Sequence, residues 1–152
     1  MLFKIDINAK CAQILSPNIA SNTRQARHVP VARTGCRIVH SVKRNSIFLF
    51  GGLTTINETL NDLWRYDLIA NRWELIEQLG KVPGPRCGHS FNLHSDKIFL
   101  FGGLREVTQE TNETMRFDIA TNTWEEIGRC ASKSIISFDT IVTPVTSNRQ
   151  VE

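Results

Sequence analysis

Histidines, cysteines and acids are the side chains from which a catalytic or metal site would be built, and here their spacing builds none. His28, His40, His89 and His94 show no His-Glu-x-x-His pattern or other ligand spacing. His89, at the opening of an expected strand, reads as a satisfied packing residue. Cys11, Cys36, Cys87 and Cys130 are even in number but scattered, with no Cys-x-x-Cys pair and no paired histidines nearby. They are expected to be free thiols of a reducing compartment. A Gly-x-Ser-x-Gly elbow, a phosphate-cradling loop and a Gly-x-Gly-x-x-Gly turn are all missing from the sequence. The acids Asp62, Asp67, Glu74, Asp118 and Glu125 sit at equivalent positions of an internal repeat, which favours turn and surface roles over a general acid and base. The expectation is therefore a protein with no catalytic residue, no cofactor and no metal.

Composition is that of a folded chain. Of 152 residues 41% are apolar and 22% charged, ordinary for a globular domain with a core. The longest apolar runs, Ile47 to Phe50 and Ile98 to Phe101, fall far short of the ~18 to 20 residues that cross a bilayer. Lys4 and Asp6 interrupt the only apolar stretch at the N-terminus, so no signal-peptide core is expected and the location is read as cytoplasmic or nuclear. On that reading the glycosylation triplets Asn57-Glu58-Thr59 and Asn112-Glu113-Thr114 are unused. The net charge of +3 is uneven. Residues 1–50 carry eight Lys or Arg against one acid, Asp6, a balance of +7 that leaves −4 for the rest. The basic residues stand singly, without a basic run or interleaved aromatics, which argues against nucleic acid as the partner.

The elements that must position any site come from a repeat. Ile47-Phe48-Leu49-Phe50-Gly51-Gly52-Leu53 recurs unchanged as Ile98-Phe99-Leu100-Phe101-Gly102-Gly103-Leu104, a shift of 51 residues. The same shift carries Asn61 to Asn112, Arg65 to Arg116, Tyr66-Asp67 to Phe117-Asp118, Asn71 to Asn122 and Trp73-Glu74 to Trp124-Glu125. Upstream, Arg33-Thr34-Gly35-Cys36 corresponds to Arg86-Cys87-Gly88-His89. A partial copy opens the chain: Leu2 to Ile7 parallels Leu63 to Leu68, with Ala12 in the tryptophan slot. In the second full copy the pattern predicts strands over His89 to Leu93, Lys97 to Phe101, Glu113 to Asp118 and Thr123 to Ile127, the second of them ended by Gly102-Gly103. A four-stranded antiparallel unit of this kind cannot cover both its faces and must stack on its neighbours.

An apolar strand closed by Gly-Gly, then Tyr or Phe followed by Asp, then Trp seven residues after that aromatic, in a period near 50, resembles the kelch-repeat family. The resemblance implies an all-β fold of propeller blades, each of four antiparallel strands. Here they form an incomplete propeller: a partial blade and linker over residues 1–32, repeats over 33–80 and 81–130, and degenerate strands or tail over 131–152. The diglycines Gly51-Gly52 and Gly102-Gly103 are expected to serve backbone geometry. Tyr66, Trp73, Phe117 and Trp124 are expected to pack between blades, and Arg33 and Arg86 to reach carbonyls or acids of a neighbouring blade. A radical-copper oxidase of this family needs converging tyrosine and histidine ligands, whereas the single tyrosine, Tyr66, occupies the repeat's aromatic slot.

The resemblance further implies a scaffold or adaptor that binds a protein partner through the loops joining blade strands. Three segments have that freedom: Thr54 to Leu60, Arg105 to Thr111, and Gln78 to Arg86. They nominate Asn57, Glu58, Lys81, Arg105, Glu106 and Glu110 as partner-contacting residues. Two alternatives stand beside this reading. One is a piece of a propeller without independent function, completed by self-association or by another chain, and the other is a propeller enzyme.

Overall fold

The computed structural model describes residues 2–6, 11–15, 29–106 and 109–129. The linker Ser16 to Arg27, Cys130 and the β-prone stretch Ser134 to Val142 lie outside the described residues. Those that are described contain strands and no helix, hence no helix long and apolar enough to cross a membrane.

The first hairpin pairs β1 (Leu2–Asp6) with β2 (Cys11–Leu15). Its register, Phe3 with Ile14, Ile5 with Ala12 and Asp6 with Cys11, is that of Trp64 with Leu75, Tyr66 with Trp73 and Asp67 with Arg72. The partial copy is thus the outer hairpin of a blade.

A complete blade follows: β3 (Arg33–Thr34), β4 (Arg37–Ser41), β5 (Ser46–Thr54), β6 (Thr59–Asp67) and β7 (Arg72–Leu75). All pairings are antiparallel: β4 on β5, β5 on β6 and β6 on β7, with β3 alongside the far end of β5. The turns explain the placement of asparagines and aspartates, among them Asn71 and Asp67, which recur as Asn122 and Asp118. Asn45, Asn71 and Asn122 take left-handed φ of 45°, 52° and 54°, a region asparagine tolerates better than most side chains. The Asp67 carboxylate accepts the amides of Ile69 and Ala70, both at 2.8 Å, and Asp118 accepts that of Ala120 at 2.9 Å.

The first diglycine does not end its strand, as the sequence led us to expect. β5 runs through Gly51 and Gly52 to Thr54, and the ladder with β6 shifts register between Phe50 and Gly52, a bulge. Gly51 has φ of 63°, and a Cβ there would lie 2.6 Å from the Arg86 carbonyl oxygen. Such an approach needs glycine. It brings the Gly52 amide to 2.9 Å from that same carbonyl, so the diglycine joins one blade to the next.

The second blade comprises β8 (Leu79–Gly80), β9 (Ser90–His94), β10 (Lys97–Phe101), β11 (Leu104–Glu106), β12 (Gln109–Glu110), β13 (Glu113–Asp118) and β14 (Thr123–Arg129). The strand order β9-β10-β13-β14 repeats β4-β5-β6-β7. Leu79 and Gly80, inside the first repeat by sequence, run parallel to β14 and shield its outer edge. The segment Arg105 to Thr111, expected as a free loop, begins as a short ribbon of β11 on β12.

The core lies between the blades. Phe48, Phe50 and Leu63 from one face of the first meet Phe91, Ile98, Leu100, Met115, Phe117 and Trp124 from the second. Trp124 has its ring centroid 5.4 Å from Phe50 and 4.9 Å from Phe117. Each aromatic buried here removes on the order of 150 to 250 Å² from water.

Candidate functional site

The two arginines that open the repeats are held in the same way, and that common frame shows what is added to one of them. Arg33 donates from Nη1 to the Gly51 carbonyl at 3.1 Å, from Nη2 to Asp62 at 2.9 Å, and from Nε to the Val31 carbonyl at 3.0 Å. Arg86 donates from Nη1 to the Gly102 carbonyl at 3.0 Å, from Nη2 to Glu113 at 2.8 Å, and from Nε to the Gly84 carbonyl at 3.0 Å. The acid belongs to the arginine's own repeat and not to a neighbouring blade, which corrects the sequence expectation. In each blade the carbonyl of the first glycine of the pair and an acid of the third strand lie within hydrogen-bond reach of the same guanidinium.

Beyond that frame the blades differ. Asp62 accepts from Arg33 and from the Trp64 indole, at 2.6 Å. Glu113, one methylene longer, accepts from three arginines: Arg86, Arg105 at 2.8 Å to both carboxylate oxygens, and Arg129 at 3.2 Å. Arg129 also donates to Glu126, which pairs in turn with Lys81. Burial by itself would raise the Glu113 pKa, but the Arg86 hydrogen bond and the charges of Arg105 and Arg86 hold it below the usual value. Hydrogen bonds from Arg129 and Lys81 bring Glu126 down to about 2.

This cluster sits at the end of the blades where the strand-joining loops lie. The Thr59 hydroxyl donates to the Arg105 carbonyl at 3.0 Å, tying the first residue of β6, just past the β5–β6 loop, to β11. The Arg105 guanidinium lies over Gly84 of the chain crossing between blades; a Cβ there would be 3.5 Å from its Nε.

Of the residues nominated from sequence, the structure places Arg105 in this cluster and Lys81 at its margin. Asn57 and Glu58 are exposed at the tip of the β5–β6 loop, with Asn57 at φ of 60°. Glu110 is exposed in β12, and Glu106 ends β11. Arg129, Glu113 and the apolar loop residue Ile56, 80% exposed, were not nominated. A signal existed for the first two. Glu113 aligns with Asp62, an acid at the same repeat position, and Arg129 aligns with Gln78, so a charge stands where its counterpart has an amide. Gln78 opens the Gln78 to Arg86 segment but serves the blade junction. Its carbonyl accepts the Trp124 indole at 2.7 Å and its amide donates to the Asn61 carbonyl at 2.9 Å.

The signature residues Gly51, Gly52, Gly102 and Gly103 are buried, as are Tyr66, Phe117 and Trp124, and Trp73 is half-buried against the Tyr66 ring at 5.0 Å. The chemistry-bearing side chains do not converge. Among the described residues no group of three or more His, Cys, Asp or Glu could hold a metal ion. Cys36 and Cys87 are free, and burial pushes the Cys36 thiol up. His89 is buried, but it is not the satisfied residue expected, because neither ring nitrogen has a hydrogen-bond partner among the protein groups. It lies edge-on to Phe50 and Phe91, at 5.4 and 5.9 Å, in the slot that Cys36 fills one repeat earlier.

Comparison with known proteins accords with this architecture. The family model described as the KLHDC2/KLHL20/DRC7 Kelch-repeats domain matches residues 5–138. Tip elongation aberrant protein 3 of Schizosaccharomyces pombe is 33% identical over 107 residues, covering 67% of this chain and 9% of that protein. Kelch domain-containing protein 3 of Bos taurus is 31% identical over 101 residues, covering 66% of this chain and 26% of that protein. Host cell factor of Drosophila melanogaster is 38% identical over 88 residues, covering 51% of this chain and 6% of that protein. The chain thus spans about a quarter of these relatives' length or less. Two stacked blades, a third outer hairpin in the same register and a family match across most of the sequence place the chain in the kelch-repeat family.

Proposed function

We propose that this chain is a protein-interaction module that engages its partner with the loop end of the blades. Kelch repeats are in general a protein-interaction fold, and the observation that carries the reading here is the continuity of that end. The Thr59 to Arg105 hydrogen bond and the seating of Arg105 over Gly84 join the loop ends of two successive blades and the chain crossing between them. One surface then presents an apolar residue, Ile56, beside Asn57 and Glu58, and reaches half-exposed Arg105 and exposed Glu110. Partner surfaces of this make-up combine an apolar anchor with polar groups that set orientation.

A photoreactive residue placed at Glu58 or at Ala70 tests the proposal, since the β5–β6 loop and the β6–β7 turn lie at opposite ends of β6. In cells, the Glu58 position cross-links to a discrete protein, and adding Ile56→Asp abolishes that product while the urea midpoint of the purified chain is unchanged. Cross-linking from Ala70 alone, or a product indifferent to Ile56→Asp, overturns the assignment.

A further inference from the structure

Two cysteines meet the junction of the blades, each in a slot where the other repeat has a different residue. Cys36 stands where the second repeat has His89, and Cys87 where the first has Thr34, so the frame common to the blades requires neither thiol. Both are free and partly exposed.

Two hydrogen bonds cross the junction beside them. The Gly52 amide donates to the Arg86 carbonyl at 2.9 Å, and the Gly88 amide to the Gly35 carbonyl at 2.8 Å. Cys87 lies between those two contacts on one side, and Cys36 follows Gly35 on the other. A single amide-to-carbonyl bond thus separates the two cysteine backbones, and with standard peptide dimensions it keeps their Cα atoms within about 7 Å. Disulfides usually span ~4.4 to 6.8 Å between Cα atoms. A Cβ built on Gly35 would come 3.1 Å from Cys87 Cβ and 3.9 Å from its Sγ, so the Cys87 thiol is directed at the segment that carries Cys36. A Cβ on Gly52 would come 2.9 Å from Cys36 Cβ, which sets Cys36 against the glycine hydrogen-bonded to Arg86, the neighbour of Cys87.

We infer that Cys36 and Cys87 are a peroxide-oxidisable pair that closes into a disulfide between the two blades. The Cys87 sulfur, as thiolate, attacks one peroxide oxygen; the O–O bond breaks, and the departing hydroxide takes up the proton Cys87 released, leaving a sulfenic acid and one water. The Cys36 sulfur then forms the S–S bond as the sulfenic S–O bond breaks, and that hydroxyl leaves with the Cys36 proton as a second water. Two thiols lose two electrons and one peroxide is reduced. Burial lifts the Cys36 thiol above its ordinary range, against the charges of Arg33 and Arg37, which suits it to the second role rather than the first. The link joins residues 51 apart in sequence and fastens one blade to the next. A bridge over so long a loop stabilises chiefly by restricting the unfolded chain.

The test starts from the full chain, reduced, desalted and kept dilute, and exposes it to a small molar excess of hydrogen peroxide. Remaining thiols are blocked with N-ethylmaleimide, and a non-reducing tryptic digest is read by mass spectrometry. The expected product is the peptide Thr34 to Arg37 joined to the peptide Cys87 to Lys97, from a chain of monomer mass, and released by dithiothreitol. The urea midpoint of the oxidised parent rises above that of the reduced parent and returns on reduction. Cys87→Thr, which installs the residue of the equivalent slot, gives one midpoint before and after peroxide. Linkage of either cysteine to Cys11, to Cys130 or to a second chain as the main product overturns the inference. So does oxidation of either sulfur to sulfinic acid without a linked product, and so does a linked product with a lowered midpoint, which would show the bridge straining the junction. The linkage is read on the parent itself and decides the matter even where Cys87→Thr folds poorly.

Discussion

His89 makes the stability of this chain depend on pH in a window where its carboxylates do not. Burial, reinforced by the charges of Arg86 and Arg37, brings the imidazole from an ordinary 6.5 down to about 3. Above pH 6.5 the ring is neutral in both folded and unfolded chains and contributes no pH dependence. As the pH falls below 6.5 the unfolded chain takes up a proton that the folded chain refuses, so stability declines by about 1.4 kcal/mol per pH unit until the folded ring titrates near pH 3. Between pH 7.5 and pH 5 the loss amounts to about 2 kcal/mol. Glu113, Glu126, Asp67, Asp96 and Asp118 all titrate below their usual range and stay ionised in both states over most of that interval.

The assay is urea unfolding at pH 7.5 and pH 5 at fixed ionic strength, on the parent chain and on His89→Cys, which installs the residue found in the equivalent slot as Cys36. Truncation of the ring lowers stability at both pH values. The readout is therefore the difference between them, expected to be about 2 kcal/mol in the parent and to fall by most of that amount in the variant. An unchanged difference in His89→Cys would falsify the reasoning, because the proton uptake would then belong to another group. A parent insensitive to pH would refute it too, by showing the buried ring to be as well served as a solvated one.

Two further perturbations separate backbone from packing. Gly51→Ala should cost markedly more than Gly102→Ala, although the heptapeptides are identical. Both glycines have φ near 65°, worth about 1 to 2 kcal/mol of strain for alanine, but a Cβ at Gly51 meets the Arg86 carbonyl at 2.6 Å whereas one at Gly102 meets only the Thr111 carbonyl at 3.3 Å. Equal losses in urea midpoint would show that the approach between blades relaxes freely. Phe50→Ala should destabilise by about 3 to 5 kcal/mol and shift the emission of Trp124, whose ring it touches; an unshifted spectrum would remove Phe50 from the blade junction.

The blades themselves were legible in the sequence because their determinants are local. A turn aspartate, a turn asparagine and an aromatic-rich strand each act within a few residues, and strands over Lys97–Phe101 and Glu113–Asp118 follow from them directly. The candidate site was legible only in part. Arg105 stood out as a charge on an expected loop, but Arg129 lies at the end of a strand that continues two residues past its predicted limit at Ile127. Its meeting with Glu113 depends on the register shift between Thr114 and Met115, which no local pattern announces. Lys81 read as a free loop charge because its partner, Glu126, is 45 residues away.

The repeated heptapeptide shows why a repeat alone cannot assign roles. In the first copy Phe48 and Phe50 are sealed and Ile47 is half-buried; in the second Ile98 and Leu100 are sealed while Phe99 and Phe101 are half-buried. Alternate residues of a strand point to opposite faces, and the two blades meet through opposite faces of the same sequence. One copy therefore buries its phenylalanines against the aliphatic residues of the other. The same asymmetry governs the opening arginines. Arg33 and Arg86 make matching bonds, yet only the second stands beside a carboxylate long enough to hold two more guanidiniums at the loop end. What the repeat conserves is the frame of each blade. What distinguishes the blades is found at positions where the frame is satisfied in one copy with fewer charges than the other carries.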